Sequence, residues 1–137
     1  MQLRPDQLDT HLARGLRHVY TVWGDEPLLA QEAGDAIRQA ARAAGYTDRQ
    51  VFTVAGAHFD WSGVLGASQA MSLFADRQLI ELRIPGGKPG KEGSEALQRY
   101  CETLSDDVLT LVHLPRIDRQ QQQSAWFGAL DAAGVSI

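Results

Sequence analysis

A chain of 137 residues that is 44% hydrophobic has enough apolar material for the core of one domain. Thirteen basic against seventeen acidic residues leave a net charge of -4, which argues against a protein that holds nucleic acid by neutralising many phosphates. The single cysteine, Cys101, excludes an internal disulfide. The N-terminus has no secretory signature and no apolar run reaches the ~18–20 residues of a membrane span, so a cytoplasmic protein without membrane contact is expected.

Pro5 suits a first helical position, and Leu8, Leu12 and Leu16 follow at four-residue spacing, which predicts a short amphipathic helix closed near Gly15. Residues 18–23 are β-branched and aromatic and stop at Gly24, as a buried strand does on entering a turn. A long helix is expected from Pro27 to Ala44, capped by Asp25, with Leu28, Leu29, Ile37 and several alanines facing inward and Gly45 ending it.

Residues 51–54 form a second short strand. Asp60 then caps a helix carrying Trp61, Val64 and Leu65 that gives out near Met71. Residues 78–84 are a third strand and residues 85–91 a glycine- and proline-rich loop, before a helix capped by Ser94 that runs through Leu97 and Tyr100 to Leu104. Asp106 and Asp107 lead into a fourth strand, residues 108–114, a nearly continuous apolar run stopped by Pro115. A last helix holds Trp126, Phe127 and Leu130, with Gln120 to Gln123 as an exposed first turn, and residues 135–137 begin a fifth strand. Strands alternating with helices predict an α/β domain with a parallel sheet covered on both faces, because parallel neighbours need crossover connections. A chain that stops as a strand begins reads as the N-terminal part of a longer protein.

The sequence offers little chemistry. Residues 24–29 stand where a phosphate loop would follow a first strand, but Asp25 and Glu26 replace the glycine-lysine-hydroxyl end that cradles a triphosphate and its magnesium. Two carboxylates there suit the positive end of a helix instead. Gly90-Lys91 imitates the motif and fails at Glu92, and the fourth strand ends in His113-Leu114-Pro115 without the acidic residue of a magnesium-dependent NTPase. His11, His18, His58 and His113 are scattered, so no metal site and no cofactor are expected. Cys101 lies in an amphipathic helix as a buried or half-buried thiol rather than a nucleophile, and no catalytic residue is assigned. Lys88, Lys91 and Arg99 could give a small basic patch near one loop.

One feature remains, the apolar pair Leu73-Phe74 between the fading third helix and the third strand. Residues alone favour a core role, although adjacent positions rarely both face inward. The segment Gln69-Ala70-Met71-Ser72-Leu73-Phe74-Ala75 resembles the clamp-binding segment of the delta subunit of bacterial DNA polymerase III. Residues 20–29, with Gly24, Pro27, Leu28 and Leu29, resemble that family's first strand and helix. Residues 125–130, with Trp126 and Phe127, resemble its last helix.

The resemblance implies a P-loop-NTPase-like, AAA+-like N-terminal domain with a degenerate nucleotide site. It also implies a clamp-loader role in DNA replication: binding the ring-shaped sliding clamp, the beta subunit, and stabilising its open form. Leu73 and Phe74 then enter the clamp's hydrophobic pocket, with Met71, Ser72 and Gln69 beside them, and further contacts are expected around residues 61–70. Other loader subunits would be held through a C-terminal part, and primed DNA met only in the assembled complex. The alternative is a nucleotide-dependent enzyme with a degenerate P-loop-like site.

Overall fold

The structure, a computed structural model, describes residues 1–24, 26–54, 59–69, 77–105 and 107–137. Pro5 opens a 3₁₀ turn, Pro5–Gln7, that runs into α1, Leu8–Arg14, and Gly15 ends α1 at φ 143°, a conformation side-chain-bearing residues rarely take. Strand β1, Val19–Val22, is buried at all four positions.

Helix α2, Pro27–Ala43, lays a stripe of Ala33, Gly34, Ile37 and Ala41 on the sheet. That stripe corrects one expectation. Leu28 and Leu29 do not face inward; they are 66% and 48% exposed, because small residues at four-residue spacing set the packed face and the first turn lies outside it. Asp25, the expected cap, lies outside the described residues, and Glu26 occupies the cap position without a side-chain hydrogen bond.

Strand β2, Tyr46–Thr53, is longer than the sequence predicts. Its polar residues alternate between exposed and half-buried, the pattern of an edge strand with one wet face. Helix α3, Trp61–Gln69, starts where Asp60 Oδ1 accepts from the Ser62 amide at 3.0 Å. Strand β3 is Arg77–Arg83, and α4, Gly90–Glu102, begins four residues before the expected cap. Pro89, whose φ of -75° suits a helix entry, takes the cap position, so Ser94 sits inside α4 and accepts from the Gln98 side-chain amide.

Strand β4, Val108–His113, leads to a short α5, Arg119–Gln122, capped by Asp118, and to α6, Ala125–Ala133, capped by Ser124. The glutamine run therefore belongs to a helix of its own. Strand β5, Val135–Ser136, closes the chain's order of elements.

The five strands form one parallel sheet in the order β2-β3-β4-β1-β5. Alternation along the strands splits the core in two. Tyr20, Leu79, Leu109 and Leu111 pack on α1 and α2, whereas Val19, Leu82 and Val112 pack on the opposite side with Trp61, Leu97, Trp126 and Leu130. Two glycines set close approaches. A Cβ on Gly134 would fall 1.9 Å from the Val19 carbonyl oxygen, and one on Gly93 would fall 2.6 Å from the Trp61 ring, so α3 seats directly against α4.

Candidate partner-binding site

The segment singled out by the sequence joins the end of α3 to the start of β3. Met71, Ser72, Leu73 and Phe74 lie outside the described residues, as do Ala70 and the side chain of Gln69. The structure describes what holds them on either side. On α3, Trp61, Val64 and Ser68 are buried, and the Ser68 hydroxyl donates to the Leu65 carbonyl at 2.8 Å. On β3, the buried Gln78 donates its side-chain amide to the Ala67 carbonyl at 3.2 Å and accepts from Gln50 Nε2 at 3.2 Å. One side chain thus ties the last turn of α3, the first turn of the sheet at β3 and the edge strand β2. The residues on either side of the 70–76 link are thereby tied to each other at the strand starts.

The opposite edge, at the strand ends, holds the position that a phosphate loop would occupy. There Val22, Trp23, Gly24, Glu26, Leu29 and Ala30 line a hollow of about 180 Å³, together with Pro5 and Ile137. It falls below the ~300–1,000 Å³ of ligand clefts, and the charged side chain in its lining is a carboxylate. Lys88, Lys91 and Arg99 are all exposed. Lys88 lines a cleft of about 800 Å³ with Trp23, Arg116 and Arg119, and Lys91 and Arg99 stand on α4, ~12 Å apart along its axis.

The sequence reading missed Glu81. It is fully buried in β3, on the face toward α2, and Arg38 Nε donates to its Oε1 at 3.1 Å while Arg49 Nε binds its Oε2. His113 Nε2 lies 3.1 Å from Oε1, and an Arg83 nitrogen lies at 4.0 Å. Burial alone would raise the carboxyl pKa, but hydrogen bonds from His113, Arg49 and Arg38, with the Arg38 charge, win and hold it at about 2. Gly34 makes room for this cluster: a Cβ there would lie 3.1 Å from the Arg38 guanidinium and 3.2 Å from the His113 ring. A carboxylate whose two oxygens are both engaged by arginines is a structural hub rather than a general base. The available signal was a lone acid inside the apolar run Leu79-Ile80-Glu81-Leu82.

Elsewhere His11 pairs with the Tyr20 hydroxyl at 2.9 Å, and His58 and Asp106 lie outside the described residues. Cys101 is half-buried on α4, where burial and then the charge of Glu102 push its thiol up to about 11 from an ordinary value of 9.0. Because the thiolate is the reactive form, the folded chain is expected to react with a disulfide reagent at pH 8 about a hundredfold more slowly than the urea-unfolded chain. Equal rates in the two states would contradict the burial.

Comparison with known proteins gives consistent results. Residues 20–137 match the family described as DNA polymerase III, delta subunit. The chain is 37% identical, over its whole length, to the DNA polymerase III subunit delta of Escherichia coli K12, and 30% identical over 93% of its length to that of Haemophilus influenzae Rd. It covers 40% and 36% of those two proteins. Among solved structures, a DNA clamp loader delta protein of Bacillus subtilis superposes with a TM-score of 0.74 at 17% identity, over 98% of this chain and 42% of the other, a likeness of fold.

Proposed function

Because the chain belongs to the DNA polymerase III delta-subunit family, we propose that it is the domain with which a clamp-loader subunit grips the sliding clamp. Leu73 and Phe74 enter the clamp's hydrophobic pocket, flanked by Met71, Ser72 and Gln69. Binding favours the open ring, which the assembled loader places on primed DNA during replication. The work is done in the bacterial cytoplasm, where other loader subunits join through the part of the protein beyond residue 137 and the whole serves a DNA-directed DNA polymerase, a nucleotidyltransferase. The observation that supports this reading most is the fixed base of the 70–76 link. Gln78 joins α3 to β3 where the link begins and ends, so the two attachment points of the apolar pair's segment are held to each other and need no ordering on binding. The direct test is titration of this chain with the cognate sliding clamp; absence of saturable binding would refute the reading.

We also propose that the domain is AAA+-like with a degenerate nucleotide site and does not hydrolyse ATP. The small hollow beside Gly24, with Glu26 in its lining, supports this. A competing nucleotide-dependent enzyme predicts stabilisation by ligand. Millimolar ATP with magnesium is expected to leave the melting temperature unchanged, whereas a site occupied a hundredfold above its Kd would add about 2.7 kcal/mol of stability.

A further inference from the structure

Beside the emergence of the 70–76 link lies a cleft of about 700 Å³ between the ends of α1 and α2, at the strand starts. Leu12, Leu16 and Tyr46 give it apolar walls. Arg14, Arg77 and His18 line it as well, and no carboxylate does so among the described residues. In a chain of net charge -4 this is a local reversal of sign. Arg77 is held in place: its guanidinium lies 5.2 Å from the centroid of the Tyr46 ring, and Nη1 donates to the Ala44 carbonyl at 3.1 Å. Arg14 is exposed at the last position of α1.

Arg77 is also the residue that closes the link. Three peptide units separate it from Phe74, so the two Cα atoms are at most about 11 Å apart whatever path the chain takes. A protein that grips Phe74 is therefore within reach of Arg77, on the wall of this cleft. The expected second contact on α3 finds less to work with, since the exposed positions described there are Ser62, Gly63 and Gly66, with no charge and little surface.

We infer that this cleft is a second part of the clamp-binding surface and takes a carboxylate-bearing segment of the clamp flanked by an apolar side chain. The inference rests on the clamp reading above. Charges at the rim of an interface act mainly on the association rate and are screened by salt, whereas a buried apolar anchor acts on dissociation.

The test is clamp-binding kinetics of the whole chain against ionic strength. Arg14→Glu is expected to associate about tenfold more slowly than wild type at ~0.05 M salt and to converge with it near ~0.5 M, with little change in dissociation. Lys91→Glu makes the same charge change on α4 and is expected to associate like wild type. Equal low-salt association rates for Arg14→Glu and wild type would overturn the inference, and so would equal slowing by Lys91→Glu, which would trace the effect to net charge. Leu73→Ala with Phe74→Ala is run alongside. If that variant binds normally, the clamp reading itself has failed, and the two failures are told apart.

Discussion

Leu73→Ala with Phe74→Ala is expected to weaken clamp binding by at least a hundredfold, about 2.7 kcal/mol, while leaving the melting curve of the domain unchanged. Burying a leucine and a phenylalanine contributes ~3 to 6 kcal/mol gross, so their removal suffices for such a loss. It does not suffice for the whole interface, because association costs an estimated ~4 to 15 kcal/mol. Shifting a ring from about 1:99 to 99:1 open takes a further preference of roughly 5.5 kcal/mol. The measurement is a clamp titration paired with thermal unfolding. The core reading makes the opposite prediction: truncating two buried side chains of this size costs ~5 to 10 kcal/mol, comparable with the ~5 to 15 kcal/mol stability of a typical domain. An unfolded double variant would thus assign the pair to the core, and a folded one with wild-type affinity would move the site elsewhere.

Glu81→Ala is expected to cost about 3 kcal/mol of stability, lowering the melting temperature by about 10 °C, without contact with the proposed clamp site. The carboxylate is fully buried, so its loss strands the cations gathered on it. The cost stays near the low end for a broken buried pair because Arg49 and Arg83, about half exposed, can turn to water, whereas Arg38, at 19%, is less able to. The acid dependence has a definite sign. The folded pKa of about 2 lies below the ordinary 4.5, so this stabilisation is complete above about pH 4.5 and is lost as pH falls toward 2. A shift of that size corresponds to about 3 kcal/mol. Urea midpoints from pH 6 to 2 should show this extra acid sensitivity in wild type and not in Glu81→Gln; matching slopes would remove Glu81 as the cause.

The fold was most legible where burial is strongest. β1 and β4 are largely apolar and β-branched and sit in the interior of the sheet, so their sequences announce them. β2 was read only from Val51 onward, because Thr47, Asp48, Arg49 and Gln50 meet water or ions at the sheet edge and carry no apolar alternation. Leu28 and Leu29 misled for the converse reason: hydrophobicity alone does not say which side of a helix is packed, and here alanine and glycine mark that side. The elements that flank the candidate segment were legible. The pair falls between an ending helix and a beginning strand, and α3 and β3 do end and begin there. Gln78, Gly93 and Arg14 were not legible, since each acts through residues distant in sequence: Gln78 through Ala67 and Gln50, Gly93 through Trp61, and Arg14 through a cleft shared with Arg77.

The place of β3 in the sheet has a mechanical consequence. The strand that receives the link at Arg77 is flanked on both sides, by β2 and β4, and is paired along its length with each. A pull directed along its axis loads those hydrogen bonds in shear, so many must yield together, whereas an edge strand peeled sideways gives way one bond at a time. Gln78 and Glu81 add cross-ties from the same strand to the helical layers above and below. Tension applied at Arg77 along β3 would therefore be shared by three strands and both helical layers before the domain tore.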